Sequence, residues 1–282
     1  MEYATNPIDG TRIAYRAIGN GQPLALLHGT ALSSAIWRGF GYVGALKDRY
    51  QLVLIDLRGH GRSDKPRIAG DYSMNLMVTD VLAVFDAMGI SSTHLMGYSL
   101  GGRVSLSLTT HAPHRLKSVI VGGGSSRPQD GVLDELFFPG CVDTLTNEGM
   151  SAFLDQWGAH RSTPIDSGTR IAFESNDATA LAAYMRQSGS EPGIDDITLG
   201  AIDLPTLLFV GSEDAERFDD TRHIAQMIPG AHLVIIPGRD HSTTLAASSE
   251  VLGIVAPFLS ALDRGADSRR QGLNEGKTLI QE

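Results

Sequence analysis

Short, unbroken apolar runs alternate along much of the chain with stretches whose apolar residues recur every three or four positions. Leu24-Ala25-Leu26-Leu27, Gln51 to Ile55 and Leu116 to Val121 show no polar alternation, as expected of strands buried on both faces. A fourth apolar strand ends in Met96, just before Gly97-Tyr98-Ser99. Asn75 to Met88 carries Leu76, Met77, Val81, Val84, Phe85 and Met88 at helical spacing, with Ser73 as a cap and Gly89 as a stop. Upstream, Tyr3 to Asn6 and Thr11 to Arg16 flank the turn signal Pro7-Ile8-Asp9-Gly10 and predict an antiparallel hairpin. Trp37 to Lys47 predicts a helix, although its glycines weaken it.

From Ser125 to Ala201 the alternation lapses. Leu133, Leu136, Phe137, Phe138, Phe153, Leu154, Trp157 and Phe173 are scattered there among polar residues, and the segment reads as a mainly helical insertion. The alternation resumes with a strand over Thr206 to Val210, a helix over Asp219 to Met227 and a strand over His232 to Ile236. A closing helix over Thr243 to Leu262 is expected to be interrupted near Pro257. Residues 263–282 are polar without a sustained period and are expected to form a mobile tail. Strand and helix in turn predict an α/β fold, a mostly parallel sheet with helices on both faces. Residues 1–124 and 202–262 form its core, and 125–201 interrupts it. In such sheets function gathers at the carboxyl ends of the strands.

Composition narrows the partners. A net charge of -9 without a basic stripe argues against nucleic acid and acidic membranes, leaving a small-molecule substrate as the expected partner. No apolar run reaches the ~18 residues of a membrane span. Met1-Glu2-Tyr3-Ala4-Thr5 does not open a basic region followed by an apolar core, so no export signal is expected there. Cys141 is the single cysteine, which fits a reducing cytoplasm and leaves no internal disulfide or cysteine-based metal cluster. No activating neighbour marks Cys141 as a nucleophile.

The chemistry centres on Gly97-Tyr98-Ser99-Leu100-Gly101-Gly102. Strand, sharp turn bearing Ser and helix form the order of a nucleophile elbow. Gly-x-Ser-x-Gly alone carries little weight in a chain with 32 glycines, so context must decide. A serine nucleophile needs a base and a carboxylate to orient it. Of nine histidines, only His241 follows a late strand in a Pro/Gly loop. His94 and His232 sit at strand starts, His111, His114 and His223 on or beside helices, and His160 in the insertion. His28 and His60 lie upstream of Ser99, in tight loops with a structural use for them. For the acid, the order Ser, acid, His favours Asp214 just past a strand end, with Glu213 as runner-up and Asp240 too close to His241 in sequence. The backbone N–H groups of Leu100 and Thr30 are the expected oxyanion donors.

These motifs resemble the α/β-hydrolase fold family, in a serine esterase or lactonase-like subgroup with a short cap. His28-Gly29-Thr30 is similar to its oxyanion loop, and Asp56-Leu57-Arg58-Gly59-His60-Gly61-Arg62-Ser63 to its D-x-R-G-x-G-x-S loop. Gly211-Ser212-Glu213-Asp214 and Gly238-Arg239-Asp240-His241 resemble its acid and histidine loops, with Asp240 where many members have Gly. The resemblance spans Thr11 to Leu262 apart from the insertion. It implies an eight-stranded sheet, a Ser99–His241–Asp214 triad and 125–201 as the cap. Dehalogenases and epoxide hydrolases of the fold place Asp at the elbow, where this chain has Ser99. Carbon–carbon-bond hydrolases of the family usually carry Trp after the histidine, where this chain has Ser242.

The expected activity is cofactor-free and metal-free cleavage of a carboxylic ester or lactone of a small, mostly apolar molecule. Trp37, Phe137, Phe138 and Trp157, with Met96, are the candidate pocket residues. Two rival readings share the scaffold: a haloperoxidase or perhydrolase-type acyl transfer using peroxide, and a ligand receptor with little turnover.

Overall fold

The computed structural model describes residues 1–161 and 164–278, the last thirteen of these by backbone alone. The expectation of a mobile tail falls largely outside the described side chains, and residues 279–282 lie outside the description altogether.

The apolar runs become the sheet. Its strands are β1 (Glu2–Thr5), β2 (Arg12–Ile18), β3 (Gln22–Leu27), β4 (Tyr50–Ile55), β5 (Thr93–Tyr98), β6 (Leu116–Gly122), β7 (Thr206–Gly211) and β8 (His232–Ile236). They form one 8-stranded sheet in the order β1-β2-β4-β3-β5-β6-β7-β8. β1 and β2 are antiparallel, and β2 meets β4 antiparallel. From β4 through β8 every pairing is parallel. The hairpin is therefore an edge ribbon on a parallel sheet whose central strand, β5, is buried at every residue.

The helices are α1 (Ala35–Gly39), α2 (Tyr42–Leu46), α3 (Met74–Ala87), α4 (Leu100–His111), α5 (Val132–Leu136), α6 (Cys141–Asn147), α7 (Gly149–His160), α8 (Ser167–Glu174), α9 (Ala178–Ser190), α10 (Asp196–Gly200), α11 (Phe218–Met227) and α12 (Ser248–Thr278). Side chains alternate across a strand, so one run feeds two cores. Ala25, Leu27, Val53, Ile55 and Leu95 pack with Met77, Val81 and Val84 of α3 and with Val104 and Leu108 of α4. Leu24, Leu26, Leu52, Leu54 and Met96 pack on the opposite face with Trp37, Tyr42 and Leu46, and with Val251, Val255 and Leu259 of α12. Helices α5 to α10 fill the interval between β6 and β7, where the alternation lapses. No helix among the described residues is long and apolar enough to cross a membrane.

Two helices differ from expectation. The segment from Trp37 to Lys47 is split into α1 and α2 at Gly41, whose φ of 88° lies in the left-handed region that glycine tolerates. The closing helix begins at Ser248, runs through Pro257 and continues to Thr278. The buried stripe Val251, Val255, Leu259 spans the proline, and its packing outweighs the backbone hydrogen bond that Pro cannot donate.

Between the edge hairpin and α3, charge is buried and paired. The Arg58 guanidinium, whose side chain is 0% exposed, donates to Asp80 Oδ2 at 2.6 Å and to Asp9 Oδ2 at 2.9 Å. Asn6 completes Asp80 at 2.7 Å, tying the edge hairpin to α3. Asp80→Ala strands the guanidinium without its main partner. The expected loss is about 3–5 kcal/mol of unfolding free energy, measured by urea titration.

Beside this network, His28 and His60 are fully buried and lie 5.3 Å apart, ring to ring. His28 Nε2 accepts from the Leu57 N–H at 3.0 Å, and His60 Nδ1 donates to the Arg58 carbonyl at 2.9 Å. Burial, reinforced by His28, pushes the His60 imidazole down to about 3. A depressed folded-state value means that the unfolded chain takes up the proton first as pH falls below about 6.5. The contribution is complete above that pH and is lost on the way down toward 3. Urea titrations between about pH 6.5 and pH 5 should show stability falling, with His60 supplying up to one proton, ~1.4 kcal/mol per pH unit. His60→Gln should flatten that slope; an unchanged slope would refute the assignment.

Candidate active site

The candidate nucleophile stands where β5 turns into α4. Ser99 has φ 54° and ψ -114°, an unfavourable conformation for a residue with a Cβ. Its N–H donates to the Gly122 carbonyl at 2.8 Å, and the Gly101 N–H donates to the His28 carbonyl at 3.1 Å. The elbow is thus tied to the ends of both neighbouring strands, β3 and β6. A Cβ on Gly97 would overlap the Gly101 carbonyl, and one on Gly101 would overlap the Leu27 carbonyl. The two glycines of the motif are demanded by this closeness of strand, turn and helix.

Loops from two further strand ends reach Ser99. His241, after β8, has Nε2 at 2.9 Å from Ser99 Oγ and Nδ1 at 2.8 Å from Asp214 Oδ2. With a neutral imidazole, Nδ1–H donates to the carboxylate and Ser99 Oγ–H donates to Nε2. The Asp214 side chain is 0% exposed, on the loop after β7. Tyr98 donates its hydroxyl to the His241 carbonyl at 2.5 Å and lies 5.4 Å from the imidazole, ring to ring. A Cβ on Gly123 would come within 3.1 Å of His241 Cε1, so the loop after β6 must be bare there. The competing carboxylates are elsewhere: Asp240 accepts from Ser242 and Thr243 in its own turn, and Glu213 is exposed.

Leu100 is the first residue of α4, so its N–H has no carbonyl one turn back. Among the described residues neither this N–H nor that of Thr30 has a hydrogen-bond partner. The Thr30 loop lies against the elbow, since a Cβ on Gly29 would sit 3.4 Å from Ser99 Cβ. Two unpaired donors beside a serine hydroxyl at a helix N-terminus suit an anionic oxygen. No group of three or more His, Cys, Asp or Glu among the described residues is placed to hold a metal ion. Cys141 is buried in α6, and burial together with Asp134 pushes its thiol up to about 12.

Ser99 and His241 open into a cavity of about 450 Å³ walled by Leu32, Phe40, Leu136, Phe137, Trp157 and Phe173. Phe137 and Trp157 thus meet the site, with ring centroids 5.0 Å apart. Trp37 and Phe138 do not. Trp37 is 0% exposed on the far face of the sheet, edge-on to Tyr42 at 5.2 Å, where α1 and α2 need a large apolar filler. Met96 is buried on that same face. Phe138 turns into the insertion and packs on Phe153 at 5.3 Å. Leu32, Phe40 and Tyr98 also line the cavity and are not among the sequence candidates; Tyr98 alone carries a signal, being next to Ser99.

Comparisons with known proteins agree with this fold. The family model described as alpha/beta hydrolase fold matches residues 22–158. A putative 2-succinyl-6-hydroxy-2,4-cyclohexadiene-1-carboxylate synthase of Bacillus subtilis is 25% identical over 274 residues, 90% of this chain and 97% of that one. The crystal structure of the esterase RhEst1 from Rhodococcus sp. superimposes with a TM-score of 0.77 at 26% identity, covering 93% of this chain and 98% of that one. The enol-lactonase from Burkholderia xenovorans, at 22% identity and a TM-score of 0.78, shares the fold over 92% of this chain and 100% of that one. With its 8-stranded sheet and the serine elbow between β5 and α4, the chain has the α/β-hydrolase fold.

Proposed function

We propose that this protein is a serine hydrolase that cleaves a carboxylic ester or lactone of a small, mostly apolar molecule. The observation that carries the reading is the pair of contacts made by one imidazole, 2.9 Å to Ser99 Oγ and 2.8 Å to Asp214 Oδ2. His241 Nε2 takes the hydroxyl proton as Ser99 Oγ adds to the substrate carbonyl. The carbonyl oxygen becomes an oxyanion held by the Leu100 and Thr30 N–H groups. His241 then returns the proton to the departing alkoxide, and the C–O ester bond breaks to leave an acyl-enzyme on Ser99. In a lactone the released hydroxyl stays attached to the acyl group. Water repeats the sequence, giving a proton to His241 and its oxygen to the acyl carbon, and Ser99 leaves with the proton. Asp214, buried beneath, fixes the tautomer and stabilises the imidazolium.

The aromatic walls of the larger chamber favour an apolar group on the substrate, and residues 125–201 act as the cap that supplies most of them. The single buried thiol fits a reducing cytoplasm.

Ser99→Ala should lower kcat on phenyl and short alkyl esters on the order of 10⁶-fold. Asp214→Asn should lower it about 10⁴-fold by disturbing the tautomer. A fluorophosphonate should label Ser99 in the native protein. Turnover within tenfold of wild type in the Ser99 variant, or no labelling, would defeat the reading.

A further inference from the structure

A second, smaller cavity of about 30 Å³ shares Thr30, Ser99 and Leu136 with the aromatic chamber. Its remaining wall is mixed, with Met74, Met77 and Leu133 beside Arg103, Glu191 and Arg217. Arg103 sits on α4 one turn beyond Ser99, and residues four apart lie on the same face of a helix. It is 6% exposed. Nη1 donates to the carbonyls of Ser125 at 2.9 Å and Arg127 at 3.1 Å, and Nη2 donates to that of Pro192. Its buried Nε–H has no partner. Among the described residues Arg103 forms no ion pair.

Burial disfavours the Arg103 charge and Glu191 and Asp220 favour it, yet no carboxylate accepts from its Nε–H. Arg217 is also 6% exposed, and its nearest carboxylate, Asp220 at 3.7 Å, is held more closely by Arg127 at 2.8 Å. Glu191 accepts from the Met74 N–H at 3.1 Å and from the Gln187 amide at 2.8 Å. Two buried guanidinium groups thus border a space next to Ser99 Oγ, and one of them is hydrogen-bonded to neutral carbonyls alone. Burying such a charge is costly unless an anion completes it. Stapling the Ser125–Arg127 loop and Pro192 onto α4 occupies Nη1 and Nη2, and leaves Nε–H unexplained. The outer chamber has the opposite character. Glu135, Glu213 and Glu216 line it beside Arg161 and His160, so an anion is drawn inward and not to the mouth.

We propose that the inner cavity is a carboxylate subsite, in which Arg103 and Arg217 receive an acid group carried by the acyl arm of the substrate. The space has room for about two waters, which suits a small head such as a carboxylate and not a bulky anion. One helical turn from Ser99 to Arg103 puts that head a few bonds from the scissile carbonyl. The substrate class is then the half-ester of a short dicarboxylic acid, or a lactone bearing a carboxylate, with its apolar group in the aromatic chamber. This rests on the serine-hydrolase reading for the reaction, though not for the binding.

The test compares the monophenyl ester of glutaric acid with the phenyl ester of glutaric monoamide, which has the same shape without the charge. The wild-type kcat/KM should favour the acid ~10- to 100-fold, the range for hydrogen bonds to a charged group. Arg103→Met and Arg217→Gln should each shrink that ratio toward one. Calorimetry on the Ser99→Ala variant reads binding without turnover, and should show the same preference for the acid. Equal or weaker binding and turnover of the acid would overturn the subsite while leaving the hydrolase intact. No turnover of either ester, with preferential binding of the acid in the Ser99→Ala variant, would overturn the hydrolase and uphold the subsite.

Discussion

The backbone of Ser99 is held where a residue with a side chain does not rest, at φ 54° and ψ -114°. Such a conformation costs about 1–3 kcal/mol and persists only where its surroundings over-determine it. They do so here through three parallel strands. β5 delivers the residue, the end of β6 accepts its N–H, and the end of β3 accepts the N–H of Gly101. Every residue of β5 is buried, so the strand cannot shift to relieve the turn. Glycines at 97, 101 and 122 remove the side chains that would push it apart, the last of them against the ring of Phe209. The result is a hydroxyl lifted above the sheet and a helix N-terminus aimed at it, with the Leu100 N–H left unpaired.

The sheet was legible because its physics is one-dimensional. A strand covered on both faces must be apolar at consecutive positions, and each such run in the sequence lies in a parallel strand within a residue or two of its bounds. The loops that follow those runs hold the serine, the acid and the histidine, because parallel strands all end at one edge. Chain order and strand ends point to His241 among nine histidines and to Asp214 over its neighbour Glu213. The coordinates bring those side chains within 2.9 Å of their partners. Less legible was anything set by contacts between distant segments. The split at Gly41 depends on a positive φ, and the unbroken α12 depends on packing that outweighs Pro257.

The pocket was harder to read for a related reason. Apolar character says that a side chain will be buried, and does not say in which interior. Trp37 and Phe138 have the same chemistry as Trp157 and Phe137, yet the first pair fills cores and the second lines a cavity. In the insertion the aromatic rings contact one another, with Phe137 at 5.1 Å from Phe153 and Trp157 at 5.3 Å from Phe173, so a ring facing the cavity also anchors its neighbours. Arg103 escaped notice because a charged residue on a helix is ordinarily solvated. Its position four residues after Ser99, in a helix whose first ten residues are buried, was the available sign.

The two chambers differ in how firmly they are held. Arg103 belongs to α4, whose first turn is continuous with the strained elbow, so helix geometry sets its distance from Ser99. Arg217 follows Asp214 on the same loop, and its N–H donates to the Asp214 carbonyl at 3.1 Å. Both guanidinium groups are therefore carried by the core elements that hold Ser99 and Asp214, and the Arg103 head is further tied to the carbonyls of Ser125, Arg127 and Pro192. The aromatic end is built largely from α5, α7 and α8, which pack mostly on each other and on α6 and α9. A shift of those helices would reshape the apolar chamber without moving the guanidinium groups relative to the hydroxyl. On the proposed chemistry, recognition of the acid group is the more firmly held half of specificity, and recognition of the apolar group is the half that substitutions in α5, α7 and α8 can alter.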